Sequence, residues 1–237
     1  IKRKRKGRKI LGGPVFRRRG VWPASPAGGP YAPTQKTREE FLRRFAAPIR
    51  EALSRKERKI VTFSDAPEIL DYVNSRFASQ ASQAGAATPD HMLRTKRIPL
   101  FIHWKKKDPL SVSPSEVVKQ IEKYAENHKR YYERFHEPGQ PMLDPYPRVV
   151  LIPGVGMMTS GKNLDEANVV KEIYEHSMRV QAGAYFIDRY ESLPLPLAFE
   201  MEYWPLELYK LSLAPKEKEL ARRIAWVTGA VGAIGRA

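Results

Sequence analysis

Hydrophobic positions along this chain alternate between two patterns: stripes spaced three or four residues apart, and short unbroken apolar runs. Phe41, Phe45, Ile49 and Leu53 form the first stripe. It marks one face of a helix opened by the capping box Thr37-Arg38-Glu39-Glu40, with Pro48 as a kink. KIVTF (59–63) then reads as a strand, and Asp65-Ala66-Pro67-Glu68 caps a helix to about Val73. IPLFIHW (98–104) reads as a second, buried strand. Ser113-Pro114-Ser115-Glu116 combines a cap, a first-turn proline and a reciprocal glutamate. It opens a long helix whose inner face carries Val117, Ile121, Tyr124, His128, Tyr131 and Phe135.

Beyond a proline-rich turn, RVVLIP (148–153) is a third strand, followed by the glycine-containing connection GVGMMTSGK. Asn163-Leu164-Asp165-Glu166 caps a helix to about Gln181, AYFID (184–188) is a short strand, residues 197–212 are helical, and RRIAWV (222–227) is a final strand. Strands alternating with helices of this length predict an α/β fold, a mixed or parallel sheet with flanking helices. Three regions follow: a basic, Pro/Gly-rich linker or tail over 1–36, an α/β region over 37–212, and a further strand and loop over 213–237.

Charge changes this picture mainly at one end. Of the formal net charge of +16, ten positive charges lie in residues 1–23, which contain no acid, so the body is only mildly basic. A run of that kind is more often a solvated tail than a nucleic-acid reader. A non-enzymatic nucleic-acid-binding protein using this run is the alternative function. With no cysteine there is no disulfide framework and no thiolate metal site, and no apolar run is long enough for a membrane span. A soluble, cytoplasmic location is expected. The chain begins with Ile1 and stops just after a glycine-rich loop, which suggests an internal piece of a longer protein.

That loop carries the clearest chemical signal. RRIAWV runs directly into Thr228-Gly229-Ala230-Val231-Gly232-Ala233-Ile234-Gly235, with glycines three residues apart. Glycines allow a tight turn and let main-chain amides approach a pyrophosphate. The segment resembles the TGxxxGxG opening of the short-chain dehydrogenases, with Ala233 in the slot of the second glycine. The resemblance implies the first strand and phosphate loop of a truncated Rossmann domain, with Thr228, Gly229, Gly232, Ile234 and Gly235 contacting NAD or NADP. The catalytic residues of that family are absent, so hydride transfer by this chain alone is not expected.

Four blocks in order, ATPDHMLRTKRIPL (87–100), RVVLIPGVGMMTSGK (148–162), FEMEYWPLELYKL (199–211) and RRIAWVTG, resemble the bifunctional rhamnulose-phosphate aldolase/short-chain dehydrogenase family. There a class II aldolase region precedes the dehydrogenase. The resemblance implies a parent that splits a ketose 1-phosphate into dihydroxyacetone phosphate and an aldehyde, then oxidises the aldehyde. Its aldolase step uses zinc, whose ligands are expected outside this chain. Class II aldolases carry an HGxxxxGK stretch with a zinc-binding histidine; here Val155 takes the histidine slot before Gly156 and Lys162, implying a metal-free wall. The five histidines show no metal-ligand spacing. In Asp90-His91-Met92-Leu93-Arg94-Thr95-Lys96-Arg97, the residues Asp90, His91, Arg94 and Lys96 are candidates for holding a sugar phosphate, because Arg and Lys suit phosphate geometry and charge. A loop pinned by its own ion pairs is the competing reading. The expected partners are a sugar phosphate and an aldehyde, with no membrane, no nucleic acid and a homo-oligomer allowed.

Overall fold

The computed structural model describes residues 33–104, 108–213 and 217–232. The basic stretch 1–32, and Ala233, Ile234 and Gly235 of the glycine-rich loop, lie outside the described residues. Strands β1 (Ile60–Ser64), β2 (Leu100–Phe101), β3 (Val149–Ile152) and β4 (Gly156–Gly161) form one sheet in the order β1-β4-β3-β2. β4 is antiparallel to β1 and β3, whereas β2 is parallel to β3. Of the two expected sheet types, the mixed one is found.

Helices α1 (Gln35–Leu53) and α5 (Pro114–Phe135) cover one face of this sheet. Helices α2 (Pro67–Val73) and α6 (Leu164–Ile187) cover the other. Strand pleating decides which side chain goes where. Val150, Ile152 and Met158 pack with Phe41, Phe45, Ile49, Val117 and Ile121. Their neighbours Val149, Leu151 and Met157 pack with Ile69, Tyr72, Val170, Tyr174 and Met178. All four residues of β3 are fully buried, each contributing about 1.5–3 kcal/mol of transfer free energy.

The cap expected at Ser113 is present in full: its hydroxyl accepts from Glu116 N–H and the Glu116 carboxylate accepts from Ser113 N–H. Asn163 likewise caps α6. Other boundaries differ from the sequence reading. α1 begins one turn earlier than the Thr37 box, because Thr34 accepts the Thr37 N–H at 3.2 Å. Asp65 does not cap α2; its carboxylate instead receives Arg38 Nε at 2.9 Å. The connection after 153 is no loop but the hairpin partner β4. Gly154, at φ 78°, turns the chain and donates its N–H to Asn74 Oδ1 at 2.6 Å.

Two of the expected strands are absent. Residues 184–187 continue α6, where Tyr185 stacks on Phe77 and no strand lies alongside to pair with them. Residues 222–227 are irregular and exposed: Trp226 is 91% accessible, and no described strand flanks them. A lone strand leaves its backbone groups unpaired, so it has no reason to form. The segment is instead held by Arg222, at φ 62°, whose guanidinium bonds Glu217, Glu57 and the Arg58 carbonyl. The single helix expected over 197–212 is two, α7 (Leu195–Glu202) and α8 (Pro205–Ser212), because Pro205 supplies no N–H to continue the first. The segment after Thr88 forms α4 (Pro89–Thr95), preceded by the short α3 (Ala78–Ala81). Among the described residues no helix is long and apolar enough to cross a membrane.

Gly156 holds the β1–β4 seam. At φ 145°, a Cβ there would lie 2.4 Å from Ser64 O and 3.1 Å from the Phe63 ring. Gly156→Ala is expected to destabilise the fold by roughly 2 kcal/mol or more in urea unfolding, through backbone strain plus overpacking. An unchanged midpoint would show that β1 yields without cost.

Candidate functional site

The four residues singled out on 90–97 all ride on α4 or its end, and they face different ways. Asp90 and Arg94 are exposed. His91 is buried against α6, where Nδ1 lies 3.0 Å from Ser177 Oγ and Nε2 lies 3.4 Å from His176 Nδ1. Ser177 donates its own proton to Ile173 O at 3.1 Å, so His91 Nδ1–H donates to Ser177. Burial first, then His176, holds His91 below its ordinary pKa, partly offset by Asp90. The Ser–His contact is therefore a packing element and not a nucleophile with its base.

Lys96 turns the opposite way, into the interior. Its backbone, at φ 65° and ψ 170°, occupies a region nearly reserved for glycine and costing about 1–3 kcal/mol. That turn carries Nζ to 3.3 Å from Glu202 Oε1 on α7 and 3.4 Å from His128 Nε2 on α5. Tyr203 Oη lies 3.2 Å from the same imidazole nitrogen. An ammonium can only donate, so His128 Nε2 accepts and the ring proton sits on Nδ1. Burial lowers the Lys96 pKa, and the neighbouring Glu202 carboxylate works against that. Burial, with help from Lys96, Arg97 and Lys56, pushes His128 down to about 2, so the imidazole is neutral. Two buried oxygens near this group, Glu202 Oε2 and Tyr131 Oη, have no hydrogen-bond partner among the described residues.

His128 and Tyr131 also form part of the wall of a cleft of about 450 Å³ between α5 and the edge strand β2. Its floor is apolar, with Ile98, Leu100 and Phe101, while Arg97, Lys123 and Asn127 supply polar groups. Among the described residues no acidic side chain lines it. Arg97 was within the segment read from the sequence but was not singled out, and Glu202, Tyr203 and Lys123 were missed. One signal was available: Glu202 sits amid Phe199, Met201, Tyr203 and Trp204, and an acid in so apolar a stretch must find an internal partner or cost dearly. His128 stood on the inner stripe of its helix, where it is indeed buried.

Only the first part of the glycine-rich loop, residues 228–232, is described. Thr228, Gly229 and Gly232 are exposed, and a Cβ on Gly229 would meet nothing within 4 Å. A pyrophosphate site would need flanking strands and a helix that no described residue supplies. Among the described residues no group of three or more His, Asp or Glu side chains could hold a metal ion. Val155, in the slot of the aldolase histidine, is wholly buried and packs into the core with Ile152 and Met158.

A mixed sheet between two helical layers, with a cleft backed by a buried Lys–Glu–His group, defines a small α/β domain. The family model described as the second domain of class II aldolases matches residues 40–211, and the chain belongs to that family. It is also 37% identical over 201 residues to a Bacillus subtilis protein named uncharacterized oxidoreductase YuxG. That match covers 84% of this chain but 29% of the relative's length. No solved structure matches the chain.

The buried pair makes two predictions. Lys96→Met strands the Glu202 carboxylate and should cost about 3–5 kcal/mol, whereas adding Glu202→Leu should restore much of the loss. Equal losses in single and double variants, measured by chemical unfolding, would deny the coupling. His128 makes the second. Its folded pKa lies below the ordinary 6.5, so the unfolded chain binds the extra proton as pH falls. Its contribution is complete above pH 6.5 and drains away on acidification. The thermal midpoint should fall between pH 6.5 and 5, and His128→Gln should flatten that slope, leaving the part of the same sign that His91 adds.

Proposed function

We propose that this chain is the aldolase-side second domain, with the opening of a dehydrogenase domain, of a bifunctional sugar-catabolic enzyme. The parent cleaves a rhamnulose-type ketose 1-phosphate to dihydroxyacetone phosphate and an aldehyde, and oxidises the aldehyde with NAD or NADP. The observation that carries this reading is order: a class II aldolase second domain over 40–211, followed at 228–235 by TGAVGAIG. A relative named an oxidoreductase, similar over 84% of the chain, supports the second activity. Zinc and most of the nicotinamide site belong, on this reading, to other parts of the parent.

The four residues on 90–97 then divide the work. Arg94, exposed on α4, meets the substrate phosphate and Asp90 beside it accepts from a sugar hydroxyl, while His91 and Lys96 anchor the helix from behind. The test is made on the parent enzyme with purified ketose 1-phosphate, following dihydroxyacetone phosphate and NAD(P)H separately. Both should appear, with reduced cofactor dependent on cleavage. Arg94→Ala should raise KM for cleavage about tenfold, the loss of one charge-assisted contact, with the melting temperature unchanged. Absence of both products overturns the reading, and an unaltered KM removes Arg94 from it.

A further inference from the structure

The cleft between α5 and β2 has the makings of a ligand site apart from either proposed reaction. Three features converge there. The first is uncompensated charge. Arg97 and Lys123 line the cleft, neither forms an ion pair among the described residues, and no carboxylate shares the wall with them. Arg97 lies over the Tyr131 ring, with its guanidinium carbon 5.8 Å from the ring centroid.

The second feature is a pair of main-chain groups with no partner among the described residues. Ile102 N–H donates to Leu151 O at 2.9 Å, so by the alternation of a parallel ladder Pro99, Phe101 and His103 turn their main-chain groups away from β3. Gln83 Nε2 covers Pro99 O at 3.3 Å. Gln120 closes on His103 from both sides, accepting its N–H at 2.9 Å and donating to its carbonyl at 3.1 Å. Phe101, between them, has neither group covered by a described side chain. An open strand edge is normally blunted, and here the blunting stops at one residue inside a cleft.

The third feature is Tyr131, whose buried hydroxyl has no partner among the described residues although the residue lines the same wall. Behind it stands Lys96, with a backbone conformation of the kind that persists only where neighbouring structure enforces it. Unpaired cations ask for an anion. A bare N–H beside a bare carbonyl, with Asn127 nearby, asks for a ligand that both accepts and donates. The apolar floor and a volume of about 450 Å³ set the size of a small organic molecule.

We propose that this cleft binds a small hydroxylated organic anion, its charged end held by Arg97 and Lys123 and its hydroxyls by the Phe101 main chain, Asn127 and Tyr131. The assignment rests on the cleft alone, so failure of aldol cleavage or of oxidation in the parent would leave it standing. Calorimetric titration of the full chain with glycerol 3-phosphate, lactate and glycerol tests it. One or both anions should bind and glycerol should not; the phosphate and carboxylate arms tell the two anion classes apart. Arg97→Ala should weaken binding about tenfold or more, with partial recovery in Arg97→Lys. Tyr131→Phe should weaken it a few-fold while the melting temperature is kept, since the hydroxyl it removes has no internal partner. Two results would overturn the proposal: no binding of either anion at millimolar concentration by a chain with a cooperative melt, or unchanged binding in Arg97→Ala/Lys123→Ala, which would assign the anion to the basic run at 2–19.

Discussion

Burial of the β3–β4 hairpin on both of its faces is the constraint from which the rest of the architecture follows. Every residue of β3 and β4 is buried, and alternate side chains enter opposite cores. A two-sided hairpin demands a helical layer on each face, met by α1 with α5 and by α2 with α6. It also needs a partner along each edge: β1 takes one in antiparallel register, and the two-residue β2 takes the other. A register slip by one residue would exchange the contents of the two cores, so pairing and packing specify each other.

The shortness of β2 gives that edge its chemistry. Because pairing with β3 ends after two residues, the segment 98–103 is secured by side chains instead, Tyr124 on the Ile98 carbonyl at 2.7 Å and the two glutamines beyond it. A cleft opens where α5 stands off from this edge. Its inner wall is shared through His128 with the largely buried Lys96–Glu202–His128 group, which ties α4, α5 and α7 together. Buried ion pairs gain little net stability over apolar packing, but losing one partner is costly. Such a group therefore fixes the relative placement of three helices more than it strengthens the fold. A second buried pair, Lys59 with Asp144 at 2.5 Å, does the same for the approach to β1.

The chain belongs to the class II aldolase second-domain family, and its described residues pack as one sheet with helices on both faces. They offer a rigid sheet, an exposed α4 and a cationic cleft, yet no metal ligand cluster among the described residues. Hydrophobic exposure follows the same logic. Leu206, Tyr209 and Leu213 on or beside α8, and Ile224 and Trp226 beyond it, stand in solvent, as do Phe186 and Ile187 at the end of α6, whereas β3 and β4 are buried.

Local signals in the sequence were enough for much that depends on nearest neighbours, though not for the caps read at Thr37 and Asp65. The Ser113 box, the Asn163 cap, the stripes of α1 and α5 and the runs of β1 and β3 are each decided by side chains within one or two turns, so they could be read without the fold. The α/β class followed from their order, whereas the choice between a parallel and a mixed sheet came from the pairing. Long-range pairing was not legible. GMMTSG lacks a strand period, yet becomes β4 because β1 and β3 flank it, whereas IAWV has strand composition and stays irregular for want of any neighbour. The site divided the same way. Charge and phosphate chemistry drew attention to 90–97, but on a helix those residues radiate, and only tertiary packing could send Lys96 inward to Glu202, 106 positions away, while leaving Arg94 outside. A backbone hydrogen bond or a cap is satisfied by residues adjacent in the chain; a buried charge is satisfied by whichever element folding brings beside it, and that identity is written in the packing.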